Sequence, residues 1–91
     1  MFIYSVDNFK IFSTDCVEIF SQCNFGGTPI YVCTSNPIFH GNFVMRSIHI
    51  PTGFNIDLVN EGDYGLGEMT ALVSTSFSCL GATKYTKATL V

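Results

Sequence analysis

The sequence contains one short hairpin-like pattern twice. The first copy is FSQCNFGG (20–27) and the second is VNEGDYGLG (59–67), with aligned positions 39 residues apart. Glycine suits a tight hairpin because only glycine reaches positive φ at little cost, and aromatic side chains on either side can pack across it. The pattern predicts two similar folded hairpins. Their residues are Phe20, Phe25, Gly26 and Gly27 in the first copy and Tyr64, Gly65 and Gly67 in the second.

Around these hairpins, apolar and polar residues alternate with a period of two, which is typical of half-buried strands. Val17 and Ile19 alternate with Glu18, and segments 46–51, 54–59 and 87–91 show the same pattern. No window has a helical period, although 76–80 predicts a single helical turn. Turn-forming residues recur at the spacing expected for an all-β sandwich. The predicted turns are 7–8, 24–27, 36–37, 41–42, 51–53, 62–67 and 81.

The repeat predicts a single domain built from two Greek-key motifs. A chain of 91 residues forms one domain and buries about 60 to 65% of its unfolded surface. Each half has strands enough for one four-stranded Greek key with one apolar face, and packing the two halves face to face buries both faces. We therefore divide the domain, 1–91, into a first key at 17–51 and a second at 52–91. Residues 1–16 are an extension that adds a hairpin, covers a sheet edge or pairs with another molecule.

Charge and hydrophobicity exclude two classes of partner. Four Lys and Arg residues against seven Asp and Glu residues give a net charge of −3, so the sequence lacks the basic surface that binds nucleic acid. No apolar run is long enough to span a membrane. Polar residues, such as Ser5 and Asp7, interrupt the N-terminal segment, which favours a cytoplasmic location. A secreted form from which a leader has been removed is the alternative.

The four cysteines do not form a recognisable metal or redox motif. They lie at positions 16, 23, 33 and 79, without a CxxC pair. We expect Cys16, Cys23, Cys33 and Cys79 to be reduced, largely buried thiols that pack as small apolar residues. Two disulfides in a secreted domain are the alternative, and the sequence then leaves three pairings open.

The first hairpin resembles that of the βγ-crystallins. In that family an aromatic residue is followed by four residues, a second aromatic, any residue and a glycine, and Phe20, Phe25 and Gly27 satisfy this pattern. The second copy departs from it, with Val59 at the first aromatic position and Leu66 at the glycine position. The resemblance covers residues 17 to 91. It also implies that Ser47 hydrogen-bonds across the folded hairpin, a structural role.

The resemblance implies a calcium signature in each half: two Asn or Asp residues, two of any type, then Ser or Thr, and Ser. Such loops provide the oxygen ligands that Ca²⁺ requires. The first segment is NFVMRS (42–47), where Asn42 and Ser47 fit but Phe43 and Arg46 do not. The guanidinium repels a cation at that position. The second segment is ATKYTK (82–87) and has no carboxylate. We therefore expect no metal cofactor, and the weak candidate ligands for Ca²⁺ are Asn42, Thr83 and Thr86.

Other functional motifs match less well. DLVNEGDYGLGE (57–68) has an EF-hand acid at its first and last positions and the central glycine, but its flanks predict strands where an EF-hand has helices. Its acidic side chains are better explained as the solvated rim of a hairpin. His40 or His49 could pair with a cysteine as a catalytic dyad, but nothing in the sequence orients such a base. We expect both histidines to be surface or hydrogen-bonded residues, and we expect no enzymatic activity.

Three functions follow from these observations. The first is a non-enzymatic βγ-crystallin-like domain with degraded calcium loops, used structurally, in stress tolerance or as an interaction module. The second is a calcium-binding domain of the same type. The third is a secreted toxin or antimicrobial β-sandwich. The aromatic content, nine Phe and four Tyr, makes a homodimer or a protein partner compatible with the first function.

Overall fold

The computed structural model describes residues 12–61 and 69–91. Within them the chain forms seven strands and one short 3₁₀ turn at Cys23–Phe25, as expected from the alternating apolar pattern. None of these residues belongs to a helix long and apolar enough to cross a membrane. The strands are β1 (Cys16–Phe20), β2 (Ile30–Cys33), β3 (Ile38–Met45), β4 (Ser47–His49), β5 (Ile56–Asn60), β6 (Met69–Val73) and β7 (Thr83–Leu90).

The strands form two antiparallel sheets that exchange segments between the halves of the chain. One sheet has the order β2-β1-β4, and the other has the order β3-β7-β5-β6. β3 comes from the first half but pairs with β7 of the second, from Ile38 opposite Thr89 to Met45 opposite Thr83. In return, Phe77 of the second half forms an isolated bridge with Ile48 of β4. The fold is an all-β sandwich as predicted, but the expectation that each half forms its own sheet is wrong.

The core lies between the inner faces of the two sheets. Residues that alternate along the strands point inward, and five of the described Val, Ile and Leu side chains are fully enclosed at 0% exposure. They are Val17 and Val32 of the first sheet's β1 and β2, Ile48 of β4, and Ile56 and Leu58 of β5. Burying each such side chain stabilises the fold by about 1.5 to 3 kcal/mol. Because both sheets contribute, neither sheet can bury its apolar face without the other.

All four cysteines are joined in disulfides, so the expectation of reduced thiols is wrong. Cys16 and Cys33 occupy directly opposed positions on β1 and β2 and are bonded to each other. Cys23, in the 3₁₀ turn, is bonded to Cys79, which precedes β7. The second bond joins positions 56 residues apart. The sequence could not select this pairing because only the folded chain brings these residues together.

Two predicted local features differ from the structure, and a third cannot be compared with it. The segment 76–80 forms no helical turn, and Phe77 instead exchanges backbone hydrogen bonds with Ile48 at 2.9 and 3.0 Å. Gly41 and Asn42 do not end a strand but lie in a bulge of β3, where the register with β7 shifts between His40 and Phe43. A bulge accepts the same turn-forming residues because it also needs an unusual backbone conformation, here a φ of 145° at Gly41. The predicted hairpin at 2–12 lies outside the described residues except for Phe12.

The segment before β1 covers the outer face of the first sheet. Phe12 stacks on the ring of His49 at a centroid distance of 3.9 Å and meets the ring of Phe20 edge-on at 6.5 Å. The backbone N–H of Ser13 donates to the carboxylate of Glu18 at 2.8 Å. This cover explains why Glu18 and Phe20 are only 4% and 1% exposed although they alternate with the core residues of β1. The described part of the extension therefore covers a face rather than an edge.

Shortening a core leucine should cost far more stability than shortening a surface one on a neighbouring strand. Leu58 is fully buried and Leu72 is 65% exposed. We expect Leu58→Ala to lower the free energy of unfolding by about 2 to 5 kcal/mol, because it removes packing and leaves a cavity. Leu72→Ala, the matched control, should change it by less than about 0.5 kcal/mol. Equal losses in denaturant unfolding would contradict the position of the core.

Candidate functional site

The first hairpin is held in an unusual backbone conformation. Asn24 and Phe25 have φ values of 59° and 60°, and Gly27 has a φ of 84°. Two consecutive non-glycine residues in the left-handed region cost of order 1 to 3 kcal/mol each, so surrounding contacts must enforce them. A Cβ at Gly27 would also lie 3.3 Å from the Ser21 hydroxyl. Glycine at position 27 is therefore favoured for two reasons, its positive φ and its close approach to the Ser21 hydroxyl.

Aromatic contacts and one serine hold this hairpin in place. The rings of Phe20 and Phe25 meet edge-on at 5.7 Å, and Phe12 packs edge-on against Phe25 at 5.1 Å. Ser47 is fully buried. Its hydroxyl accepts from the N–H of Phe25 at 3.0 Å and donates to the carbonyl of Gln22 at 2.6 Å. The structure thus places Ser47 in contact with two backbone groups of the turn. Gly26 follows the 3₁₀ turn, and its N–H donates to the carbonyl of Cys23.

The neighbouring Arg46 links the first half to the segment before β7. Its Nε donates to the carbonyl of Leu80 at 3.1 Å, and its Nη2 lies 3.9 Å from Sγ of Cys79 as a donor. The Leu80 N–H in turn donates to the Arg46 carbonyl at 2.7 Å. Arg46 occupies the position at which the calcium signature has a hydroxyl ligand. The structure therefore shows a cation at that position, engaged with protein groups.

Two of the three weak calcium candidates have hydrogen-bond partners within the protein. Asn42 is exposed in the β3 bulge, and the Thr83 hydroxyl donates to the carbonyl of Gly81 at 3.1 Å. The Thr86 hydroxyl accepts from the N–H of Glu61 at 3.0 Å and donates toward the Val59 carbonyl at 3.2 Å. Thr83 and Thr86 are thus already engaged by the protein.

Asn42 and Thr86 line one cleft between β3 and β7, without Thr83. The cleft has a volume of about 730 Å³ and also contains Lys84 and Tyr85. Burial raises the pKa of the Tyr85 phenol, which keeps it neutral at physiological pH. The Glu61 carboxylate approaches the Thr86 hydroxyl at 3.4 Å, so one acidic oxygen lies beside the cleft, and sequence reasoning had not connected it to Thr86. Within residues 12–61 and 69–91, the cleft therefore combines a lysine with one nearby carboxylate.

The described residues form neither a metal cluster nor a Cys-His dyad. In residues 12–61 and 69–91, no group of three or more His, Cys, Asp and Glu side chains is placed to hold a metal ion. Asp57, the first position of the EF-hand match, lies in strand β5 and not at the end of a helix. Residues 62–68 of that match, which include Tyr64, Gly65 and Gly67 of the second hairpin, lie outside the described residues. Because every cysteine is in a disulfide, a Cys-His dyad has no thiol nucleophile.

The histidines differ in environment. His40 is exposed on β3. His49 is half-buried beneath Phe12, and its Nδ1 is buried without a hydrogen-bond partner among the described residues. The expectation of a surface or hydrogen-bonded histidine therefore fits His40 but does not describe Nδ1 of His49. The sequence held no indication that Phe12 would reach His49, because the two residues are remote in the chain.

Removing the Ser47 hydroxyl should weaken the hairpin. Ser47→Ala leaves the Phe25 N–H and the Gln22 carbonyl without their partner, and we expect a loss of about 1 to 3 kcal/mol in the free energy of unfolding. Ser74, which is exposed, provides the matched control Ser74→Ala, with an expected change below about 0.5 kcal/mol. Denaturant unfolding measures both variants. A Ser47→Ala domain as stable as the control would contradict a role in holding the turn.

Comparison with known proteins identifies the fold. No protein-family model and no curated protein sequence matches the chain. Among solved structures, the crystal structure of a point mutant of a βγ-crystallin domain from Clostridium beijerinckii is similar, with a TM-score of 0.53 and 18% sequence identity. The match covers 82% of this chain and 97% of that domain. At this level of identity the similarity establishes architecture and not function. The chain therefore has a βγ-crystallin-like fold, as the first hairpin predicts.

Proposed function

We propose that this protein is a non-enzymatic structural or interaction domain that does not bind calcium tightly and that works in an oxidising compartment. The observation that carries the proposal is Arg46. Its guanidinium occupies the ligand position of the first signature and donates to the Leu80 carbonyl at 3.1 Å. Ca²⁺ requires 6 to 8 oxygen ligands, and a fixed cation at this position opposes its binding.

The second signature supports the same conclusion for a different reason. The Thr86 hydroxyl bonds to backbone groups of Val59 and Glu61, so a metal ion would have to compete with both contacts. The exposed Lys84 lies in the same cleft and adds positive charge. One carboxylate, that of Glu61, is close to Thr86. As the one carboxylate near Thr86 among the described residues, it favours weak cation attraction rather than a closed coordination sphere.

The disulfides support an oxidising compartment. Structural disulfides persist in extracellular and other oxidising environments and are rare in reducing ones. A domain of 91 residues has a modest core and gains substantially from cross-links, about 3 to 4 kcal/mol each in the chain-entropy description. This reasoning favours secretion over the cytoplasmic location that the N-terminal residues favour.

The state of the cysteines supports a non-enzymatic role. The fold is generally used without catalysis, and the cysteines of this chain are unavailable as nucleophiles because they are disulfide-bonded. A toxin or antimicrobial domain would share the oxidising compartment. However, the net charge of −3 opposes binding to anionic membranes, which attract basic surfaces. Structural use or recognition of a protein partner therefore agrees better with the chain.

Calcium should not change the thermal stability of the domain. We expect the same unfolding midpoint, within about 1 °C, in millimolar Ca²⁺ and in excess chelator, with Mg²⁺ at equal ionic strength as the control. A ligand present at 100 times its dissociation constant would add about 2.7 kcal/mol, which raises the midpoint of so small a domain by roughly 10 °C or more. A shift of that size would overturn the proposal and favour the calcium-binding alternative.

Thr86→Val tests whether any effect of calcium on the unfolding midpoint depends on the Thr86 hydroxyl. Valine keeps the shape of threonine and removes the hydroxyl. If calcium raises the midpoint of the native protein and Thr86→Val abolishes the rise, the second signature is a metal site. If calcium affects neither protein, the hydroxyl serves only Val59 and Glu61.

The compartment can be tested by trapping thiols in intact cells that produce the protein. Alkylation before lysis followed by mass spectrometry should find all four cysteines unlabelled and paired as 16 with 33 and 23 with 79. Alkylation after reduction provides the control for reagent access. Four labelled cysteines before reduction would instead place the protein in a reducing compartment.

A further inference from the structure

The two disulfides lie in different surroundings. Cys16 and Cys33 are half-buried and join strands that stay paired through three further register positions, Val17 to Ile19 opposite Val32 to Ile30. Cys79 is exposed and belongs to the irregular segment between β6 and β7. Only the backbone and the bond to Cys23 restrain it covalently. The second disulfide is therefore the more accessible of the two.

A cation lies beside the accessible disulfide. Nη2 of Arg46 is 3.9 Å from Sγ of Cys79. A nearby guanidinium stabilises a thiolate and makes the thiol a better leaving group. Charge and access thus favour reaction at the same disulfide.

We propose that the Cys23–Cys79 disulfide is a site of thiol-disulfide exchange with an external dithiol, and that its opening releases the segment 74–82 from the edge of β4. The exchange site shares Arg46 with the first calcium signature, but thiol labelling tests it separately from the calcium measurements that test the proposed function. Its substrate class is a dithiol, either small or on a protein, that can reach Sγ of the half-buried Cys23 and displace the exposed Cys79. The Cys16–Cys33 disulfide remains closed under the same conditions.

The exchange proceeds in two steps. A thiolate of the dithiol attacks Sγ of Cys23, a new sulfur-sulfur bond forms, and the Cys23–Cys79 bond breaks with its electron pair leaving on Sγ of Cys79 beside Arg46. The second thiolate of the dithiol then attacks its own partner sulfur and displaces the Cys23 thiolate. The protein gains two electrons, the dithiol becomes a cyclic disulfide, and solvent protonates Cys23.

Without the covalent link, hydrogen bonds hold the segment against β4 and its neighbours. The backbone hydrogen bonds are the Ile48–Phe77 pair at 2.9 and 3.0 Å, the Asn24 N–H donating to the Ser78 carbonyl, and the Leu80 N–H donating to the Arg46 carbonyl. The Ser76 hydroxyl also accepts from the N–H of Ile50 at 2.8 Å. Phe77 is already 40% exposed. Release of this segment uncovers hydrogen-bonding groups of β4, which an edge strand offers to another chain.

The first test follows which disulfide opens. The oxidised protein is treated with dithiothreitol under native conditions, quenched with iodoacetamide at intervals and analysed by peptide mass spectrometry. We expect Cys23 and Cys79 to be labelled at least about tenfold faster than Cys16 and Cys33, because exchange depends on access and on the leaving thiol. Equal rates, or faster labelling of Cys16 and Cys33, would overturn the proposal.

Two variants separate the charge of Arg46 from its structural contacts. Arg46→Gln removes the charge, and we expect exchange to slow by roughly threefold or more. Arg46→Lys keeps the charge but loses the guanidinium geometry, and its rate should remain within about twofold of the native rate if charge is the cause. Circular dichroism confirms that each variant is folded. An unchanged rate in Arg46→Gln, or equal slowing in both variants, would refute the role of the charge.

Hydrogen exchange tests the release of the segment. Each amide of Cys23→Ser/Cys79→Ser is compared with the same amide of the oxidised protein. The exchange rates of the Ile48 and Phe77 amides should rise by a larger factor than those of the β5 and β7 amides. The amides of Ile48 and Phe77 are compared with those of β5 and β7 in the same variant, because loss of a disulfide also lowers the global stability of the protein. The same factor throughout the domain would show global loosening only and would overturn the proposed release.

Discussion

Burial of the two inner sheet faces against each other is the interaction on which the rest of this structure depends. Leu58 of β5 and Ile48 of β4 come from different sheets and are both fully excluded from solvent. A lone sheet would leave its apolar side in water, which is why the repeated pattern serves one domain and not two. The exchange of β3 and Phe77 strengthens this dependence, since each sheet is completed by residues from the other half.

Within this frame, the positions that resemble a calcium site serve the packing of the chain. Arg46 connects β4 to Leu80, and Ser47 connects β4 to the hairpin, so adjacent residues join three parts of the fold. The Cys23–Cys79 bond reinforces the same region covalently. A metal ion in a related loop would also restrain neighbouring segments by drawing their oxygen atoms together. In this chain, protein contacts and a covalent bond perform that restraint.

The sequence was most informative where the physical requirement is local. Phe20, Phe25 and Gly27 predict the hairpin because their spacing and the need for positive φ lie within a few residues. Strand alternation identified Val17 and Ile19 as core residues for a similar reason. The turn at 51–53 was also predicted, and the structure closes it with the Phe54 N–H donating to the Pro51 carbonyl at 3.0 Å. These features need no knowledge of distant partners.

Features that depend on distant partners were missed. The residues of β3 are compatible with pairing in either sheet, so they do not determine which sheet the strand joins. Disulfide pairing depends on the same long-range geometry, as does the stacking of Phe12 on His49. The bulge at Gly41 and Asn42 was mistaken for a turn because both structures use residues that tolerate unusual φ values. For the candidate site, the sequence identified Arg46 as an obstacle to calcium but could not identify its bond to Leu80.

Because β3 pairs with a strand of the second half, it has no partner during part of the synthesis of the chain. β3 ends at Met45, whereas its partner β7 begins only at Thr83. A ribosome adding about 5 to 20 residues per second therefore exposes β3 for several seconds before its partner has been synthesised. During that interval the strand has apolar side chains and unpaired backbone groups. The exposed Asn42, at the bulge, interrupts its regular edge and thereby limits pairing between nascent chains.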